Sequence, residues 1–245
     1  MYLIGDIGNT ETKICLFNKK KKLLIRKAIN TNNINMISLN KHLMFLKYSQ
    51  KKIDKVIFSS VVPNTYKKIK IYIKKKFQLK VKEIKQFNLK KILKIEVNMN
   101  QIGSDRIANA LGVINNKNNF IVLDFGTATT FDVVVKNCYK GGIIAPGVNL
   151  SLKTLSSNAK LIPIIKLLRI KKIIGKNTKS AVRSGFYWGY QGLIENIINM
   201  IERETKKKYK IIFTGGLSDL FKNSLKKSVK INRDLTIKGL LKLIN

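Results

Sequence analysis

Asp124-Phe125-Gly126-Thr127-Ala128-Thr129-Thr130 follows the apolar run Phe120-Ile121-Val122-Leu123 and precedes Phe131-Asp132-Val133-Val134-Val135. Short apolar runs on both sides of a polar turn predict strand, tight turn, strand. Gly126 lets the backbone come close to a bound group. The hydroxyls of Thr127, Thr129 and Thr130 and the N–H groups of the turn can then face phosphate oxygens. Asp124, at the end of the first strand, can hold a cation. A Gly-Thr turn with an aspartate is also a common hairpin, so the stretch alone decides nothing.

A second copy of the pattern opens the chain. Tyr2-Leu3-Ile4-Gly5-Asp6-Ile7-Gly8-Asn9-Thr10 leads into Thr12-Lys13-Ile14-Cys15-Leu16-Phe17, again strand, Asp-x-Gly turn, strand. Two such turns suggest two similar halves, each offering a phosphate loop to one cleft. In this the chain resembles the actin-like and sugar-kinase-like ATPases. The resemblance implies an α/β fold of two ribonuclease-H-like domains with an ATP cleft between them. The expected domains are 1–116 and 117–245, with Asn115-Asn116-Lys117-Asn118-Asn119 as punctuation.

The 245 residues suffice for one large domain or two smaller ones, and 44% hydrophobic content is ordinary for a globular protein. The charge is not ordinary: 49 Lys+Arg stand against 13 Asp+Glu, a formal net charge of +36. Such a balance would attract nucleic acid or anionic substrates such as ATP. The lysines are spread along the chain and come with an excess of Asn and Ile, and no zinc-finger or RNP pattern accompanies them. The charge therefore reads as compositional background, with no specific nucleic-acid partner expected. Cys15 and Cys138, the two cysteines, lack metal-ligand spacing and read as reduced core residues. His42 is the sole histidine, which excludes a multi-histidine metal site, and it reads as solvent-facing. No signal peptide or 18-residue apolar run is evident, so a cytoplasmic protein without a membrane partner is expected.

Periodicity along the chain predicts strands at 2–7, 12–18 and 22–29 as an antiparallel meander. It then predicts a helix over 34–49, a buried strand at 54–62 and an amphipathic helix over 64–77. Weaker strands are expected at 79–84 and 92–97. Gly103-Ser104-Asp105-Arg106 opens a helix, with Ser104 the expected N-cap and Asp105 suited to the positive helix end. Strands at 119–124, 129–135 and 139–145 precede a helix near 148–158. Residues 160–175 read as loop or lid. A long helix, or two, runs from Thr178 to about Arg203, where Ser184-Gly185 and Gly189 suggest close helix–helix contact. Lys210-Ile211-Ile212-Phe213-Thr214-Gly215-Gly216 is a strand ending in a glycine turn whose N–H groups could meet adenosine or phosphate. A short last helix follows Asp234.

Seven motifs then fall in one order: Asp6-x-Gly8-Asn9-Thr10-x-x-Lys13, Gly103-x-Asp105-Arg106, and Asp124-x-Gly126-Thr127-Ala128-Thr129-Thr130. After them come Gly141-Gly142-x-Ile144-x-Pro146-Gly147, Gly175-x-Asn177-Thr178, Thr214-Gly215-Gly216 and Leu235-x-x-x-Gly239-Leu240. Across residues 2 to 241 the sequence resembles the type III pantothenate kinases. The resemblance implies ATP-dependent phosphorylation of pantothenate to 4′-phosphopantothenate, the first committed step to coenzyme A, by a homodimer. It implies a monovalent cation (K⁺ or NH₄⁺) and Mg²⁺ with ATP. It also implies that Asp6, Gly8, Asn9, Thr10 and Lys13 form the first ATP loop, that Thr127 contacts ATP and that Asp124 binds the cation. Gly103, Ser104, Asp105 and Arg106 would hold pantothenate, with Asp105 as base, and Thr178 would contact pantothenate near the dimer interface.

The chemistry agrees with the residues. Phosphoryl transfer needs positioning and charge neutralisation, and a carboxylate can take the proton of the attacking alcohol. Glu96 and Asn98-Met99 depart from the family pattern, in which many members place a tyrosine lining the substrate pocket and an Asn-Pro pair usually follows. Three other readings stand beside the kinase of pantothenate: a regulatory relative without catalysis, a nucleic-acid binder, and a kinase of another small alcohol on the same fold.

Overall fold

The computed structural model describes residues 1–223 and 225–244. Backbone packing divides the chain into two compact units. Unit 1 is Met1–Ile114, Asn137–Tyr139 and Asp234–Asn245, and unit 2 is Asn115–Lys136 and Lys140–Arg233.

Unit 1 begins with the meander that the alternation predicts: β1 (Tyr2–Ile7), β2 (Glu11–Phe17) and β3 (Leu23–Asn30), each antiparallel to the next. β4 (Lys55–Ser60) lies parallel to β1, and β5 (Val81–Glu83) lies parallel to β4, giving the order β3-β2-β1-β4-β5. Side chains alternate across a strand. Leu3, Ile7, Ile14, Leu16, Val56 and Phe58 thus form one apolar face, packed with Leu39 and Leu43 of α1 (Met36–Leu43) and Ile69 and Ile73 of α2 (Pro63–Phe77). The expected helix over 34–49 stops at Leu43 and tightens into a 3₁₀ turn, Met44–Tyr48. His42 lies in the last turn of α1 and is half-buried rather than solvent-facing, because its neighbours Leu39 and Leu43 point into the core.

The short β6 (Lys94–Ile95) pairs in parallel with Cys138 and Tyr139. α3 (Ser104–Val113) and the last helix, α7 (Leu235–Leu241), pack against each other and against β1 and β4. Gly112 and Gly239 set the α3–α7 separation. A Cβ on Gly112 would lie 2.6 Å from Cδ1 of Leu235, and one on Gly239 would overlap the carbonyl oxygen of Ala108. Across the same contact the Thr236 hydroxyl donates to Oδ1 of Asn109 at 3.0 Å, with both residues buried.

Unit 2 holds β7 (Asn119–Phe125), β8 (Ala128–Val135), β9 (Cys138–Pro146, its first two residues grouping with unit 1), β10 (Lys210–Gly215) and β11 (Val229–Ile231). Their order is β11-β10-β7-β8-β9. One face, with Leu123, Phe125, Phe131, Val133 and Phe213, packs on Leu152 of α4 (Val148–Asn158), Tyr187, Ile194 and Ile198 of α5 (Thr178–Thr205) and Phe221 of α6 (Ser218–Phe221). The Phe125 ring meets Phe213 edge-on at 5.0 Å and stacks on Phe221 at 5.5 Å. α5 is a single helix of 28 residues.

Among the described residues, no helix makes the expected close contact at Gly185 or Gly189. A Cβ at Gly185, Gly189 or Gly192 would meet open space. Cys15 is buried and Cys138 half-buried, both as free thiols. Among the described residues, no helix is long and apolar enough to cross a membrane.

Candidate active site

In unit 1 the first turn joins β1 to β2. Its Gly8 N–H donates to the Glu11 carbonyl at 3.0 Å and closes the hairpin. Asp6 sits opposite Lys13 on β2 and Ser59 on β4. By alternation it projects from the face of β1 opposite Leu3 and Ile7, which frees it from the apolar core. Asn9 and Thr10 at the tip are exposed. The Lys13 ammonium lies 3.5 Å from the Glu11 carboxylate, a loose surface pair.

Thr31, which the sequence reading did not single out, fastens this turn. Its hydroxyl donates to the Gly8 carbonyl at 2.7 Å, its N–H donates to the Thr10 carbonyl at 2.9 Å, and its Oγ1 lies 2.9 Å from Oγ1 of Thr12.

α3 presents the second group of unit 1. Its N-cap is Gly103, not Ser104, and Ser104 is the buried first helical residue. A Cβ at Gly103 would overlap Oδ1 of Asp105, so a side chain there would displace the carboxylate. The Asp105 carboxylate thus folds over the helix start and accepts the Arg106 N–H at 2.8 Å. Burial pushes the Asp105 carboxyl above the usual carboxylate range, against the opposing pull of the Arg106 N–H and charge. The Arg106 guanidinium lies over the Tyr139 ring, 5.9 Å from its centroid. Glu96 is exposed, with Lys94 2.8 Å away.

In unit 2 the β7–β8 turn closes through the Gly126 N–H to the Ala128 carbonyl at 3.0 Å. Thr127 is exposed at its tip. Thr129 is fully buried instead of facing a phosphate. It pairs with Phe125 across the strands, so the period of two turns it toward the apolar core. Asp124 pairs with Thr130 on β8 and Thr214 on β10, and these three share the other face.

Two glycines pack directly on this turn. A Cβ on Gly147 would overlap the Thr127 carbonyl oxygen, and one on Gly215 would lie 2.6 Å from Oδ1 of Asp124 and 2.6 Å from the Phe125 carbonyl oxygen. The Gly216 N–H, expected to be a phosphate donor, donates to the Phe125 carbonyl at 3.2 Å. The Thr214-Gly215-Gly216 motif therefore braces the Asp124 turn. A carboxylate beside carbonyl oxygens suits a hard, weakly charged cation better than a thiolate- or imidazole-seeking metal. Thr178 is the exposed first residue of α5, preceded by the Asn177 capping box with Ser180.

Similar folds occur in a protein from Sinorhizobium meliloti assigned as a 2-dehydro-3-deoxygalactonokinase (TM-score 0.64, 10% identity, 99% of this chain and 98% of that chain covered). The activator of 2-hydroxyisocaproyl-CoA dehydratase from Clostridium difficile, solved with bound ADPNP, also matches (TM-score 0.55, 9% identity, 98% and 92% covered). With mixed α/β sheets in two units, the chain has the sugar-kinase/actin-like ATPase fold. A family model for type III pantothenate kinase matches residues 2–200. The type III pantothenate kinase of Pelagibacter ubique (strain HTCC1062) is 57% identical over 242 residues, covering 99% of this chain and 98% of the relative. The chain belongs to the type III pantothenate kinase family and is a phosphotransferase of that family.

Proposed function

We propose that the chain transfers the γ-phosphoryl group of ATP to the primary hydroxyl of pantothenate, giving 4′-phosphopantothenate at the first committed step to coenzyme A. The observation that carries this reading is the Asp105 carboxyl: half-buried at the start of α3, shifted upward by desolvation and followed by an arginine. In its ionised form it accepts the proton of the pantothenate hydroxyl as oxygen attacks the γ-phosphorus. Arg106 forks onto the pantothenate carboxylate, where a planar guanidinium makes two parallel bonds. Gly103, Ser104 and Thr178 complete the pantothenate contacts.

The first turn, Asp6 to Lys13, takes ATP phosphates, with Mg²⁺ arriving as part of the ATP substrate and held near Asp6 through water. In unit 2, Thr127 contacts ATP and Asp124 holds K⁺ or NH₄⁺, which when bound adds positive charge beside the phosphates. The site is cytoplasmic and the enzyme a homodimer. Supporting the dimer are the open glycine positions of α5 and the exposed Leu161 and Ile164, 92% and 94% accessible, in the same unit.

Mass-spectrometric detection of 4′-phosphopantothenate tests the reading. Wild-type protein forms it from ATP and pantothenate, and Asp105→Asn loses it. Normal turnover by Asp105→Asn would remove the proposed base.

A further inference from the structure

We propose that Thr31, which follows β3 and opens a 3₁₀ turn outside every phosphate-loop motif, is a positioning residue that sets the aim of the first phosphate turn. The inference rests on the proposed role of residues 6–13 in ATP binding.

Thr31 is 4% exposed and Thr12 is fully buried, so their hydroxyls cannot turn to water. A threonine hydroxyl has one hydrogen. The Thr31 hydroxyl spends it on the Gly8 carbonyl at 2.7 Å. In the 2.9 Å contact between the two hydroxyls Thr12 must then be the donor. The result is a directed chain: Thr12 O–H to Thr31 Oγ1, and Thr31 O–H to Gly8 O. Each bond polarises the next in a buried setting. The Thr31 N–H adds a third tie, to the Thr10 carbonyl at 2.9 Å.

The consequence follows from peptide geometry. A trans peptide is planar, with its C=O and the following N–H pointing in opposite directions. Holding the Gly8 carbonyl inward turns the Asn9 N–H outward. The Thr10 carbonyl, held toward the Thr31 N–H, fixes the other side of the same turn. Thr31 thereby prepares the outward Asn9 N–H, a group of the kind that receives phosphate oxygens, before ATP arrives.

The test compares Thr31→Val, which keeps the shape and removes the hydroxyl, with Thr31→Ser, which keeps the hydroxyl. Steady-state kinetics and calorimetric binding of a non-hydrolysable ATP analogue are both read. Thr31→Val is expected to raise KM for ATP and weaken analogue binding roughly tenfold, with KM for pantothenate unchanged. Thr31→Ser is expected to restore wild-type values. Equal rises in both KM values, a Ser variant as poor as Val, or unchanged analogue binding in Thr31→Val would each overturn the inference. Analogue binding is measured without pantothenate, so wild-type protein that binds the analogue through Thr31 but leaves pantothenate unphosphorylated would refute the substrate assignment alone.

Discussion

Gly215 lies against the Asp124 carboxylate: its φ is +86°, and a Cβ there would stand 2.6 Å from Oδ1 of Asp124. Only glycine takes this backbone angle without strain and leaves that space. Gly215→Ala should push the carboxylate aside. The expected outcome is a K⁺ activation constant raised about tenfold or more, with KM for pantothenate little changed. A potassium titration of initial rates measures it, and an unaltered activation constant would detach Asp124 from the cation.

Asp105 carries a pH signature. Its carboxyl is raised by burial, so the basic form appears only at higher pH than for an ordinary aspartate. The rate should fall on the acid side with a midpoint above the usual carboxylate value. Asp105→Asn should lower kcat by roughly 10²–10⁴-fold.

Stability should move the other way. A carboxyl raised in the folded state contributes stability below its unfolded pKa and loses it as pH rises through the folded pKa. Above its folded pKa the ionised Asp105 is therefore a burden on the fold. Asp105→Asn should raise Tm at alkaline pH, and this gain should vanish in strong acid. Thermal melts at the two pH values check the sign.

The α3–α7 contact is sterically closed. A Cβ on Gly239 would overlap the Ala108 carbonyl, so Gly239→Ala must part the two helices. A cost of about 2–4 kcal/mol is expected, seen as a Tm lower by roughly 5–15 °C. Because α3 carries Asp105, activity should fall even at temperatures where the variant remains folded.

Glu96 stands where the resemblance leads one to expect the tyrosine of many family members, and its exposed pair with Lys94 at 2.8 Å adds little stability. Glu96→Tyr should lower KM for pantothenate several-fold, about 3- to 10-fold, with Tm nearly constant. A raised KM would mean that Glu96 serves the substrate.

Both Gly-containing turns were legible because strand alternation and a glycine at a tight turn are local signals. The roles of some residues were not. Thr129 looked like a phosphate ligand, yet pairing with Phe125 turns it into the core, a fact of register rather than composition. Ser104 looked like a cap, but the cap falls on Gly103, where the Asp105 carboxylate folds close, so the helix starts one residue earlier. Gly215 and Gly239 were visible as motif letters, while the carboxylate and carbonyl that demand them come from distant strands and helices. Thr31 gave no signal at all: a lone threonine just past a strand has no periodicity, and its partners Gly8 and Thr12 lie about twenty residues away.

The most direct measurement is ADP release by the purified wild-type protein with ATP and Mg²⁺, with and without pantothenate, in potassium or sodium salt. Release that requires pantothenate and is faster in potassium is the predicted result. Folded protein that binds ATP but releases no ADP on adding pantothenate, in either salt, would contradict the proposed reaction.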